Sequence, residues 1–123
     1  MNILKYDQAD VHKLREGAER RMVYTCNLMM AVIDFHDGPK TQPDPPHSHP
    51  HEQVTYVANG EILFLIGDDR TILKAGDMFL VPSGVPHSIQ LLSEHVRLVD
   101  SFTPIREDFL ETAKDEPNEE IDV

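Results

Sequence analysis

Four side chains able to hold a metal ion fall into a pattern that extended backbone would bring together. His47 and His49 are two residues apart. On a strand both imidazoles project to one face, with Cα atoms about 6–7 Å apart. Gln53 follows with the same parity, at the start of a β-rich run, and His87 comes from a distant stretch behind Gly76 to Pro86. Three imidazoles and an amide oxygen make a mixed N/O set suited to one divalent metal ion (Ni, Zn, Mn or Fe), with positions left for water or a ligand. Glutamine offers a neutral carbonyl oxygen, so the ion's full charge of about +2 stays in the pocket. That favours Lewis-acid chemistry on an anionic ligand over the oxygen activation of two-His, one-carboxylate sites.

A second constellation lies near the C-terminus. Leu98, Asp100 and Phe102 share one face of a β-rich run, so if the apolar pair points inward, so does the carboxylate. A buried carboxylate needs a partner or a role, and burial raises its pKa toward the range where a general acid/base works near neutrality. Arg106 follows the break at Pro104; its planar fork suits a ligand's carboxylate. The competing structural reading is an Asp100–Arg106 salt bridge closing the fold.

The elements that must position these groups are strands. β-rich runs occur at 22–25, 28–35, 53–57, 61–66, 71–73, 78–81, 87–91 and 96–102, with Asn59-Gly60 as a hairpin signal and Gly67-Asp68-Asp69 as a second turn. Residues 42–50 hold four prolines, which excludes helix and leaves at most an interrupted edge strand. Short strands punctuated by Gly and Pro predict an all-β sandwich or barrel. Residues 1–20 read as an N-terminal lead-in segment with at most a helical turn, 21–113 as the barrel with a short helix over 105–113, and 114–123 as an acidic, solvated tail. His51 has the parity to reach the metal group, but Pro50 interrupts the strand and leaves it nearer the rim. His12, His36 and His95 sit beside polar or turn residues and read as solvated. Cys26 reads as a small buried apolar side chain.

These residues resemble the cupin superfamily. His47-x-His49, three residues, Gln53, six residues, Gly60 follows its first motif; Gly76, Pro82, Gly84 and His87 stand at the spacings of its second. Thr41 replaces the glycine expected six residues before His47, Leu91 an asparagine after the last His, and Gln53 the usual glutamate. The resemblance implies a double-stranded β-helix, the cupin jelly-roll barrel. With Asp100-x-Phe102-x-Pro104-x-Arg106 added, the chain is similar to the family of the pectin-degradation protein KdgF. That likeness implies His47, His49, Gln53 and His87 as metal ligands, and Asp100, Phe102 and Arg106 as the catalytic groups. It further implies metal-dependent linearisation of 4,5-unsaturated monouronates to 5-keto-4-deoxyuronate. A metal-dependent dioxygenase and a non-catalytic sugar-acid-binding domain are the rival readings, and small cupins suggest a homodimer by analogy.

Composition bounds the rest. The 123 residues suffice for one core, and 40% apolar content excludes disorder as the default. A net charge of −11 disfavours nucleic acid and anionic membrane as partners. It also requires that any anionic sugar ligand meet strong local positive charge, from a metal or an arginine. No secretory signal opens the chain, and a single cysteine precludes an internal disulfide; a cytoplasmic setting is expected.

Overall fold

The structure is a computed structural model and describes residues 2–112. It holds nine strands and one helix: β1 (His12–Arg15), β2 (Ala18–Tyr24), β3 (Met29–Phe35), β4 (Glu52–Asn59), β5 (Glu61–Ile66), β6 (Asp69–Lys74), β7 (Met78–Val81), β8 (His87–Leu91), β9 (Val96–Thr103) and α1 (Glu107–Thr112). The strands form a six-stranded sheet, β1-β2-β3-β9-β4-β7, and a three-stranded sheet, β6-β5-β8. Two antiparallel sheets enclosing one interior give the expected jelly-roll barrel. No helix among the described residues is long and apolar enough to cross a membrane. The acidic stretch 114–123 lies outside the described residues.

Strict alternation sorts the side chains. Along β4, Gln53, Thr55 and Val57 are buried while Glu52, Val54 and Tyr56 are exposed; along β9, Val96, Leu98, Asp100 and Phe102 are buried. Register places Gln53 opposite Phe102, Thr55 opposite Asp100 and Val57 opposite Leu98. The interior therefore changes character along its length. One end is apolar, packed by Ile33, Phe35, Val57, Ile62, Phe64, Val81, Ile89, Val96 and Leu98. The other end carries the polar groups, roofed by a small cluster of Met29, Ala31, Phe102 and Phe109. Phe109 belongs to α1, so the helix closes the polar end.

Two expectations need correction. The stretch 10–20 is neither helical nor irregular: after a single 3-10 turn at Tyr6–Gln8 it forms β1 and the start of β2, paired His12 to Arg20. Its alternation is masked in the sequence because the inward positions include His12 and Arg20, both buried and polar. The turn at Asn59-Gly60 is likewise not a hairpin. β4 pairs with β7 and β9, whereas β5 pairs with β6 and β8, so this corner carries the chain from one sheet to the other. Gly60 has φ of +85°, and a Cβ there would collide with the backbone oxygen of His95; only glycine fits a corner that close. The Gly67-Asp68 turn does join a true hairpin, with Ile66 opposite Asp69.

Candidate metal centre

His47 reaches the interior through its main chain. Its N–H donates to the His87 carbonyl at 3.0 Å, and the His87 N–H returns to the His47 carbonyl at 2.9 Å. This isolated bridge pins a proline-rich loop to β8 and sets the two imidazole centroids 4.4 Å apart. His49 follows on the same face, 4.9 Å from the His87 ring and 6.0 Å from the His47 ring. One ring nitrogen from each of the three lies within 4.8 Å of the others.

The tautomers follow from backbone partners. His49 Nδ1 lies 2.9 Å from the carbonyl oxygen of His51, and His87 Nδ1 lies 3.0 Å from that of Val85. A carbonyl only accepts, so both Nδ1 atoms donate and each neutral ring keeps its lone pair on Nε2. Such backbone-held orientation is what metal-ligating histidines require. Gln53 supplies the fourth donor: its Oε1 lies 3.0 Å from His49 Nε2. With the His49 lone pair on Nε2, these two atoms are close enough to be shared by one cation, so the donor set fits a divalent ion.

The Gln53 amide is oriented from behind. Its Nε2 donates to Thr55 Oγ1 at 2.9 Å, and Thr55 Oγ1 donates to Asp100 Oδ1 at 2.6 Å. Asp100 is fully buried, and its Oδ2 has no hydrogen-bond partner among the described residues. Burial pushes its pKa up to about 7, against the hydrogen bond from Thr55 and the positive charges of Arg106 and Arg20. The inward direction and the raised pKa both agree with the parity of Leu98, Asp100 and Phe102.

Phe102 stands edge-on to His49 at 5.9 Å and to Phe109 at 5.4 Å. Arg106 is buried, with Cζ 4.2 Å from the Phe109 centroid and 5.1 Å from that of Phe102. Among the described residues it forms an ion pair with Asp108 and not with Asp100. An open cleft of about 640 Å³ lies at this end, lined by Cys26, Ser48, His49, His51, Arg106 and Asp108 among others. His51 is on that rim and outside the converging nitrogens.

Three minor expectations change. Cys26 is exposed on the cleft wall rather than buried. His12 is buried in β1. His95 is not merely solvated: its Nε2 lies 2.7 Å from Asp34 Oδ1, its Nδ1 accepts from Asn59, and its ring stacks on the exposed His36. Asp34, His36 and His95 also offer converging atoms. There, however, Arg97 donates to Asp34 at 2.8 Å and Arg21 approaches at 3.9 Å. Burial opposes the Asp34 charge, but hydrogen bonds from Arg97 and His95 outweigh it and hold the carboxyl below its ordinary range. Two guanidinium groups already neutralise that carboxylate and oppose a further cation. Thr55, Arg20 and Asp108 were missed in the sequence; Thr55 alone carried a signal, being polar at an inward position two residues after Gln53.

A family model described as a cupin domain matches residues 34–102. The pectin degradation protein KdgF of Dickeya dadantii is 33% identical over 106 residues, covering 85% of this chain and 94% of that protein. Among solved structures, an RmlC-like cupin from Shewanella frigidimarina matches with a TM-score of 0.79 at 32% identity, covering 89% of this chain and 96% of the other. KdgF from Halomonas sp. matches at 0.76 and 27% identity, covering 85% and 96%.

Two outcomes are expected. Thr55→Val leaves the Gln53 amide and Asp100 without their shared partner, and metal affinity should fall by about 10–100-fold, measured by competition with a chromogenic chelator. Asp100 binds its proton more tightly in the folded than in the unfolded chain. It therefore adds stability below the ordinary carboxylate range, and that contribution disappears as pH rises through about 7. In metal-free thermal melts the stability of Asp100→Asn should gain on the parent across this window; a difference that does not vary with pH would contradict the buried-acid assignment.

Proposed function

This chain belongs to the cupin family, and from that premise we propose that it opens the ring of a 4,5-unsaturated monouronate to give the linear 5-keto-4-deoxyuronate. The observation that carries the reading is the hydrogen-bonded line Gln53–Thr55–Asp100, which ties a neutral metal-binding set to a buried acid that titrates near neutrality. The likeness to KdgF supports the substrate class.

The ligands would be His47, His49, Gln53 and His87. The chemistry such an ion supplies when bound is Lewis-acid stabilisation of negative charge developing on a ligand oxygen. Asp100 does the proton work. The anomeric hydroxyl gives up a proton as the bond between C1 and the ring oxygen breaks, leaving an aldehyde at C1 and an enolate across C4, C5 and the former ring oxygen. One proton returned to C4 completes the 5-keto product, so atoms and charge balance without oxidant or water. Burial raises the Asp100 pKa above the ordinary carboxylate range, which suits a group asked to accept and donate a proton in turn. Phe102 contributes an apolar wall. Arg106, with its guanidinium at the cleft, is the group for the substrate's carboxylate, and it supplies the positive charge that an acidic chain otherwise lacks.

We also propose a homodimer formed through the outer face of the six-stranded sheet. Val54, Tyr56, Met78 and Leu80 are exposed there beside Met30. With a net charge of −11, two copies repel except across a face like this one, where charge is sparse.

Purified, metal-loaded protein should accelerate loss of the enol absorbance of unsaturated galacturonate above the spontaneous rate. Asp100→Asn should lower that acceleration by about 10²–10⁴-fold while retaining metal; full activity in the variant would remove the proton role. Oxygen uptake with Fe(II) in place of this isomerisation would favour the dioxygenase reading. For the assembly, sedimentation should give a dimer that Leu80→Asp converts to monomer, and a monomeric parent would end that proposal.

A further inference from the structure

A carboxylate of the chain itself sits where a ligand's carboxylate would have to bind. Arg106 Nε donates to Asp108 Oδ1 at 3.1 Å and its Nη2 donates to Asp108 Oδ2 at 2.6 Å. Two parallel bonds to one carboxylate are the geometry by which a guanidinium holds carboxylates generally. The two partners differ in exposure. Arg106 has 2% of its side chain exposed and is stacked on Phe102 and Phe109, whereas the Asp108 side chain is 46% exposed and lines the cleft. Phe109 also lies against Arg20, whose Cζ is 3.8 Å from the ring centroid. The guanidinium is therefore the buried member of the pair and the aspartate the one that faces water.

Resting on the uronate reading above, we propose that Asp108 is an internal competitor for the carboxylate subsite at Arg106, and that an acidic ligand enters by exchanging with it. The exchange conserves charge. One carboxylate replaces another on the same fork, so the buried guanidinium is never left without an anion, which would be costly. The displaced Asp108 goes to the side already facing water. A neutral sugar has nothing to exchange and leaves the pair closed, so Asp108 sets selectivity for acids over their neutral counterparts. Apparent affinity is then reduced by the fraction of molecules in which the fork is occupied.

Calorimetry on the metal-loaded full chain tests this, with D-galacturonate as a saturated acidic probe and D-galactose as its neutral control. In Asp108→Asn and Asp108→Ala, the galacturonate Kd should fall by about tenfold or more, galactose binding should not change, and KM for the unsaturated uronate should fall in parallel. Weaker or unchanged galacturonate binding, in a variant with parental metal content and melting temperature, would mean that Asp108 supports Arg106 and would overturn the competition. If neither variant folds, the parent decides: on adding galacturonate, the carbon-13 signal of the Asp108 carboxyl should move to that of a solvated aspartate, and a signal that stays put overturns the exchange. A parent that neither binds galacturonate nor accelerates enol loss overturns the uronate reading itself. A parent that accelerates it, with unchanged affinity in the variants, overturns only the role of Asp108.

Discussion

The pair of main-chain hydrogen bonds exchanged between His47 and His87 holds together two stretches of chain separated by most of the barrel. Residues 42–50 are too rich in proline to join a sheet for any length, so this one bridge does what a full strand would do elsewhere. Further bonds support it: Asp44 N–H to the Ile89 carbonyl, and Gly84 N–H to the His49 carbonyl at 2.8 Å. With the backbone fixed, the imidazoles need no contact of their own to converge, and the carbonyls of His51 and Val85 settle which nitrogen each ring presents. Loss of the bridge would scatter the donors while leaving both sheets intact.

The barrel separates its two tasks along its axis. The end packed by Phe35, Ile62, Phe64 and Leu98 supplies burial, at about 1.5–3 kcal/mol for each fully buried large side chain. The other end spends some of that stability on Gln53, Thr55, Asp100, His87, Arg20 and Arg106, all buried and polar. Asp100 sits at the boundary, one layer below Gln53 and Phe102 and one above Val57 and Leu98. Its depth explains its basicity: it lies far enough in to lose water, and that loss outweighs the hydrogen bond from Thr55, which favours the charged form.

Period-two alternation made much of this legible before any coordinates. His47, His49 and Gln53 share parity, and so do Leu98, Asp100 and Phe102, because a strand sends alternate side chains to one face whatever its neighbours are. What alternation cannot say is which strand lies beside which. The Asn59-Gly60 corner has the residues of a hairpin turn, yet its glycine serves a change of sheet, set by Ser93 and His95 of the adjoining β8–β9 connection. β1 and the start of β2 were obscured because His12 and Arg20 break the apolar pattern at inward positions. Beyond Pro104 the chain leaves the sheet, parity stops carrying information, and nothing in the spacing of Arg106 and Asp108 announced that they pair with each other. Cys26 was misread for the same reason: it lies in a turn, where side-chain direction has no period.

The small hydroxyl of Thr55 has a stereochemical consequence. The Gln53 nitrogen can only donate, so Thr55 accepts it on one lone pair and gives its single hydrogen to Asp100 Oδ1 when that carboxyl is ionised. In that orientation Oδ1 is occupied as an acceptor, and Oδ2, which has no partner among the described residues, is the oxygen left to take a proton. An acid anchored in this way is one-handed. Whatever it protonates receives hydrogen from a fixed side, so in deuterated solvent a carbon that already carries one hydrogen would take deuterium on a single face.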